Sequence, residues 1–175
     1  MDFFSEYMVK AKKKHSDYIK IVLILLAAAI LSFILYSVFT IFVYVPIIPQ
    51  IAFLGIFLVW YFAITKFVRR YNIEYEYTLT ESELDVDKIM SRSMRKKLLS
   101  VNVRSFEIMA PLASSYYTDS YKSYKTIFAA SAEDSENAYF AAFKNDGQNT
   151  VVIFEPNNRM LDIIERYCRD RLHRK

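Results

Sequence analysis

A run of apolar residues, Ile19–Val68, constrains the fold of this chain more than any other feature. Lys20 and Lys66, close to its two ends, are the only charged residues in it. Its first half holds about 25 uncharged residues, which as a helix would cover roughly 37 Å and exceed a hydrocarbon thickness of about 30 Å. The second half is long enough for another crossing. The sequence therefore predicts a transmembrane hairpin at 19–68, with spans at about 19–45 and 47–68.

The charged residues around this run predict its orientation. Lysines precede the first span, and Lys66, Arg69 and Arg70 follow the second, whereas the connecting segment has no charge. Because basic flanks stay inside, we expect a multi-pass protein of the cell (plasma) membrane with both termini cytoplasmic. Pro46 and Pro49 favour a tight turn on the far side. Neither span contains Asp, Glu, Arg or His, so the usual marker of an ion or proton pathway is missing.

Small residues on the two spans predict where the helices approach each other. Antiparallel counting outward from the turn brings together Ala29, Ser32, Ser37 and Thr40 of the first span with Ala52, Gly55 and Ala63 of the second.

Residues 1–18 form a charged lead whose apolar positions recur at helical spacing. These positions are Phe3, Phe4, Tyr7, Met8 and Ala11. The spacing predicts a cytoplasmic juxtamembrane amphipathic helix that lies in the membrane interface. The alternative is that this segment docks on the soluble domain.

After Arg70 the apolar residues alternate with polar ones, as in β-strands with one buried face. The pattern predicts seven strands, near residues 71–79, 84–89, 99–103, 106–110, 126–130, 138–144 and 150–154. Asp146-Gly147 favours a tight hairpin between the last two strands. Residues 151–154 are continuously apolar, which indicates burial on both faces. Asn157 or Asn158 can cap a final amphipathic helix that reaches Leu172.

Residues 112–125 show no clear buried face and are rich in tyrosine. The segment is predicted to be a long loop, and loops of this length in compact domains are often functional. Its rings could contact a protein partner or lipid headgroups. The alternative is that they pack over an open end of the sheet. The candidate residues are Tyr116, Tyr117, Tyr121 and Tyr124.

Seven strands followed by one amphipathic helix is the order of a pleckstrin-homology-like (PH-like) domain. Together with the hairpin, the strand pair 75–89, the basic stretch 92–97 and the Pro156-Asn157 helix start, this order resembles the uncharacterised bacterial YcxB-like family of two-span membrane proteins. The resemblance implies a membrane helical hairpin followed by an α+β, mostly-β PH-like domain at 71–175. That domain would be a bent seven-stranded antiparallel sandwich or barrel, capped by a C-terminal helix and lying in the cytoplasm. Membership implies no established activity.

Basic residues provide candidate binding positions for anionic lipid headgroups. PH domains that bind phosphoinositides typically place basic residues around the first hairpin loop, but that loop here carries Glu81 and Glu83. The remaining candidates are Arg92, Arg95, Lys96 and Lys97, helped by Arg171 and Arg174 on the tail. The alternative is a solvated run of charges without a ligand.

The residues that catalysis or metal binding would need are scarce. His15 and His173 lie outside the predicted core, Cys168 lies in the apolar stripe of the last helix, and the chain has two glycines in all. A single cysteine excludes an intramolecular disulfide and agrees with a cytoplasmic domain. We therefore expect no enzyme, no metal and no cofactor. The net charge of +4 collects at membrane-proximal and terminal sites, which favours anionic lipid over nucleic acid as a partner. The alternative is that these basic residues signal membrane topology only.

These features predict a non-enzymatic, membrane-anchored PH-like module that binds or tethers a protein partner at the inner leaflet. Two alternatives remain open at this point. The chain could be an anionic-lipid sensor that uses the basic residues, or a small accessory subunit of a larger membrane complex held through the hairpin.

Overall fold

The computed structural model describes residues 3–41 and 47–174. The chain forms two compact units. The helical unit covers Lys13–Asn72, and the second unit combines the described residues of Met1–Lys12 with those of Ile73–Lys175. The helical unit is therefore inserted in the chain between two segments that fold together.

Two long helices make up most of the helical unit. Helix α1 covers His15–Ile41, and α2 covers Ile48–Phe62 and continues through a π-helical turn, Ala63–Phe67, into a short 3-10 segment, Val68–Tyr71. Both continuous helical stretches are long and apolar enough to cross a membrane, by length and composition. The centre of the predicted turn, residues 42–46, lies outside the described residues.

The two helices contact each other through small side chains. Ala28, Ala52 and Ala63 are buried, whereas many large apolar side chains face outward, including Phe53 at 74% exposure. Ala52 and Ala63 were predicted at this contact, but Ala28 replaces the exposed Ala29, because one residue turns a helix face by about 100°. The prediction for Gly55 is wrong, since a Cβ placed there would meet no atom within 4 Å.

The lead segment forms a β-strand, not the predicted amphipathic helix. Strand β1, Phe4–Lys10, pairs antiparallel with β2, Ile73–Thr80. Ser5 and Val9 are buried on one face of β1, so period two decides the burial. The apolar positions of this segment fit both periods, and pairing with β2 satisfies the strand's backbone groups. The alternative that the segment docks on the domain is thus confirmed.

Four antiparallel strands form the first sheet, in the order β1-β2-β3-β4. Strand β3 covers Glu83–Met90 and β4 covers Met94–Asn102. The third predicted strand therefore starts five residues earlier than the apolar alternation indicated. Its first four residues are exposed on an edge of the sheet, so no buried face marks them.

The second sheet has the order β5-β7-β8-β6. Its strands are β5, Ile108–Pro111; β6, Lys125–Phe128; β7, Tyr139–Asn145; and β8, Gln148–Phe154. Strand β6 runs parallel to β8, so the prediction of a wholly antiparallel fold is wrong at this edge. Residues 112–124, with the short helix α3 at Asp119–Lys122, cross from one edge strand to the other. Strands β5 and β6 run in the same direction, since both are antiparallel to β7, so a crossover of about a dozen residues or more must join them, and this segment supplies it.

The turn between β7 and β8 is built as predicted. Asp146 and Gly147 have φ angles of 48° and 78°. Two consecutive positive φ angles characterise the type I′ turn, which suits Asp-Gly. The four residues 151–154 are all buried, so the prediction of burial on both faces is confirmed.

The final helix, α4, covers Asn158–Cys168 and packs against the core. Asn157 caps it, since its Oδ1 accepts a hydrogen bond from the backbone N–H of Met160 at 2.8 Å. The helix ends at Cys168, four residues before the predicted end. The backbone N–H of His173 instead donates to the carbonyl of Met109 at 2.8 Å, so the tail lies along β5. The largest side chains of the core are fully buried: Tyr77, Phe106, Phe143 and Phe154.

Candidate functional site

The basic stretch begins in the β3–β4 turn and continues along β4, an edge strand of the first sheet. Arg92, in the turn, has a φ of 59°, and Arg95, Lys96 and Lys97 are exposed on the strand. Leu98 is an extra residue, because Val86 pairs with Leu99 whereas Asp87 pairs with Lys97. This bulge changes which face each basic side chain occupies.

Among the described residues, carboxylates form ion pairs with two of the four basic side chains in this stretch. Arg95 contacts the carboxylates of Glu76 and Asp87, the latter with 3.5 Å between Nη1 and Oδ2. The Nζ of Lys97 lies 2.8 Å from Oδ1 of Asp85. The predicted basic surface is therefore partly neutralised by carboxylates of the neighbouring strands.

The pKa values of two carboxylates in this network are shifted in opposite directions. Burial raises the pKa of Asp85, but hydrogen bonds from Lys97 and Ser100 outweigh it, and the net pKa is lowered. Burial also raises the pKa of Glu76. The charge of Arg95 lowers it and a hydrogen bond with Glu6 raises it further, so the net pKa is raised.

Basic side chains on an exposed edge strand also oppose pairing with other chains, which explains their presence without any ligand.

Three of the four candidate tyrosines pack onto the outer face of the second sheet. The rings of Tyr117 and Tyr121 lie 4.8 Å and 5.5 Å from the ring of Phe140, and Tyr124 packs against the same apolar cluster. The alternative that these rings pack on the sheet is confirmed, although they cover its face rather than an open end. Tyr116 is 44% exposed and stacks on His173 with ring centroids 4.0 Å apart.

The two candidate arginines of the tail have local partners. Nη1 of Arg171 donates to the carbonyls of Arg104 and Phe106, at 2.8 Å and 2.6 Å. Arg174 pairs with Asp162 at 2.6 Å and with Glu165 at 3.3 Å. Both side chains therefore tie the tail to the domain.

A polar cavity that the sequence analysis missed lies in the second unit. Its volume is about 470 Å³. The lining residues come from β1, from the start of β7, from the β8–α4 connection with the start of α4, and from the tail: Tyr7, Asn137, Tyr139, Glu155, Pro156, Asn157, Asn158, Leu161 and Arg174. Because these segments are far apart in sequence, only the carboxylate directly after the buried strand β8 could have signalled it.

Glu155 is the buried carboxylate of this cavity, with 7% of its surface exposed. Its Oε1 accepts hydrogen bonds from the backbone N–H and the hydroxyl of Ser131, at 2.8 Å and 2.6 Å. The backbone N–H of Glu155 donates to the hydroxyl of Tyr77 at 3.4 Å, and that hydroxyl donates to the carbonyl of Ala129. Burial raises the pKa of Tyr77. The carboxylate is thus held in one position by the core.

The single cysteine has the surroundings of a structural residue. The Cys168 thiol is buried, and it donates to the carbonyl of Ile164 with 3.3 Å between sulfur and oxygen. Burial raises its pKa. A thiol must ionise to act as a nucleophile, so this environment disfavours that reactivity.

Two four-stranded sheets around a common core, with an amphipathic helix at the C-terminal end, define the second unit as a PH-like domain. Residues 1–174 match the family model described as Bacterial PH-like domain (DUF6106), and the chain belongs to this family. The match includes β1 and the helical unit. No curated protein and no solved structure matches the chain. A PH-like domain suggests an interaction or scaffold module.

Proposed function

We propose that this chain is a non-enzymatic interaction or scaffold module whose PH-like domain is anchored at the inner leaflet of a bacterial cell membrane. Insertion of an apolar helix pair between two paired strands of that domain is the observation that supports it best. The proposal keeps the resemblance to the YcxB-like two-span proteins as its finer assignment.

The surface of the helical unit supports membrane anchoring. Ala28 is the one buried residue of α1, and the exposed side chains of α1 and α2 are mostly large and apolar. Exposed apolar surface of this extent is rare on soluble monomers. In a lipid bilayer, exposure of such a surface carries no hydrophobic free-energy penalty, and both helices are long enough to cross a bilayer.

The connection of the helical unit to the domain supports two crossings. Lys10 of β1 pairs with Glu74 of β2, and the backbone N–H of Ala11 donates to the carbonyl of Ile73 at 3.0 Å. Both ends of the helical unit therefore leave one folded sheet. This arrangement favours an even number of crossings, and the basic flanks favour a cytoplasmic location of the domain.

Replacing the helices tests whether the domain or the hairpin holds the partner. The variant replaces residues 13–72 with an unrelated two-span hairpin, and in-cell cross-linking compares it with the native chain. We expect the same cross-linked products, because the PH-like domain is retained. Loss of all of them would instead identify an accessory subunit that is held through its membrane helices.

Binding of anionic lipid is a second candidate function, favoured by two cations of the basic stretch. In the described part of the chain, Arg92 and Lys96 are exposed and make no ion pair. Each basic residue near an anionic surface contributes about 1 kcal/mol to adhesion. Tyrosines and tail arginines contribute less to this candidate, since most of them have structural contacts.

Flotation of the PH-like domain with anionic vesicles, at low and physiological salt, tests this second candidate. The double variant Arg92→Gln, Lys96→Gln should lose salt-sensitive binding to anionic vesicles. The matched double variant Arg95→Gln, Lys97→Gln should lose less, because carboxylates already neutralise those two side chains. Equal losses, or no binding by the native domain, would exclude a lipid site here.

A further inference from the structure

The polar cavity defined above lies entirely within the PH-like domain. Its volume of about 470 Å³ falls in the range of about 300–1,000 Å³ typical of ligand sites. One wall comes from the β8–α4 connection and the start of α4, and Tyr7 of β1 lies on another. It is large enough for one extended side chain.

Charge selects the kind of ligand. Glu155 is 7% exposed, and in the described part of the chain its hydrogen bonds end on Oε1, which leaves Oε2 for a ligand. The positive charge of Arg174 is balanced by Asp162 and Glu165. Among the described lining residues the remaining charge is therefore negative, which favours a cation and repels phosphate.

The other walls suit an alkylammonium group. The rings of Tyr7 and Tyr139 can attract a cation, and amide oxygens of Asn137 and Asn158 can accept its remaining hydrogen bonds. Leu161 and Pro156 offer apolar surface to a carbon chain. A lysine side chain has this combination, a compact charge with three donors on a four-carbon stem.

We propose that this cavity binds the side-chain ammonium of a lysine presented by a protein partner. This inference rests on the proposed function, because it names the chemistry by which the interaction module recognises that partner. Glu155 supplies the charge, and the tyrosine rings and asparagines orient the ammonium group.

Saturation-transfer NMR on the full chain in maltoside micelles, which carry no amine, tests the proposal. The probe is the peptide acetyl-Gly-Lys-Gly-amide, and its counterpart has an acetylated lysine side chain. We expect saturable transfer to the lysine stem protons and no saturable transfer to the neutral peptide. Glu155→Gln should weaken binding about tenfold, as expected for loss of a hydrogen bond to a charged group.

A matched variant controls for the change of net charge. Glu107 is exposed and does not line the cavity, so Glu107→Gln removes the same charge and should leave binding unchanged. If Glu155→Gln fails to fold, Tyr7→Leu retains the carboxylate and its Ser131 bonds and should still weaken binding several-fold.

Several results would overturn the inference. They are equal binding of the acetylated peptide, unchanged binding in Glu155→Gln and Tyr7→Leu, or no saturable binding by the native chain. Displacement of the peptide by an equal concentration of ethanolamine, which lacks the four-carbon stem, would indicate a headgroup site rather than a contact with a protein. None of these results tests the membrane helices, so failure of this inference would leave the proposed membrane anchoring unaffected.

Discussion

The helical unit and the PH-like domain bury opposite kinds of side chain. In the helical unit, Ala28, Ala52 and Ala63 are buried and Phe53 is 74% exposed, whereas Phe154 in the domain is fully buried. Water and lipid reward different surfaces, because burying apolar area gains free energy only where water is the alternative. This difference is the one expected if, as proposed, the helical unit lies in lipid and the PH-like domain lies in water.

The largest expected effect is on the folding of two variants that lack the helical unit, one with β1 joined to β2 by a linker and one without β1. Ala11 and Ile73 are hydrogen-bonded neighbours, so replacing residues 13–72 with a short Gly-Ser linker should give a soluble, folded PH-like domain. A chain that starts at Tyr71 lacks β1, which exposes an edge of β2 and the core beneath Val9, and should aggregate. Size-exclusion chromatography and thermal unfolding compare the two. Equal behaviour would contradict the assignment of β1 to the domain.

Truncation of a phenylalanine to alanine should have unequal effects in the two units. Phe154→Ala opens a cavity in the core and should lower the free energy of unfolding of the linker-bridged domain by about 3–5 kcal/mol. Phe53→Ala removes an outward-facing ring and should change membrane insertion by only about half a kcal/mol. Denaturant unfolding measures the first effect, and extraction from membranes with alkali measures the second. A large effect of Phe53→Ala would mean that this ring is a packing contact.

An introduced arginine should be costly on an exposed face of the helical unit and nearly neutral on an exposed face of the PH-like domain. Ile30 on α1 is 60% exposed, and arginine near the centre of a span costs about 2.5–3.5 kcal/mol of insertion free energy. Ile30→Arg should therefore reduce the fraction of protein that resists alkali extraction. Met94 on β4 is 40% exposed, and Met94→Arg should stay within about 0.5 kcal/mol of the native stability. If Ile30→Arg leaves insertion unchanged, this face of α1 does not meet lipid.

The smallest expected effect concerns the ion pair of Asp85 and Lys97. Because the folded pKa of Asp85 is lowered, its stabilisation is complete above its ordinary pKa of 3.8 and is lost as pH falls through the folded pKa. The side chain is 39% exposed, so the contribution is about 0.2–1 kcal/mol. Asp85→Asn should therefore destabilise the linker-bridged domain at neutral pH, and the difference should vanish once the pH falls below the folded pKa of Asp85.

Denaturant unfolding across this pH range gives the measurement for Asp85→Asn. Asp119→Asn serves as the control, since Asp119 also has a lowered pKa beside Lys122 but is fully exposed to solvent. A difference for Asp85→Asn that persists at low pH would show that the loss is steric rather than electrostatic.

Local patterns predicted most elements of the fold, and distant pairing explains what they missed. Alternation, together with a continuously apolar run at 151–154, identified β2–β8, and the apolar stripe with Asn157 identified α4. The lead segment was mispredicted because Tyr7 pairs with Tyr77, 70 positions away, and no local signal reports that partner. The parallel pairing of β6 with β8 has the same origin.

The candidate site was less accessible to sequence reasoning than the fold. Positive residues were easy to find, but the carboxylates that neutralise Arg95 and Lys97 lie on other strands. Tyrosines at 117, 121 and 124 alternate with polar residues, which hides that they cover the second sheet. The cavity around Glu155 gathers residues from four segments, and no spacing predicts such a site.

The central claim is that the helical unit crosses the membrane twice from a domain that stays inside. Cys168 is buried, so a Cys168→Ser background allows single reporter cysteines at Gln50→Cys, near the turn, and at Asp146→Cys, in the β7–β8 turn. In intact spheroplasts, a membrane-impermeant maleimide should label the first reporter and should reach the second only after permeabilisation. Labelling of the Asp146→Cys reporter in intact spheroplasts, or protection of the Gln50→Cys reporter, would contradict the account.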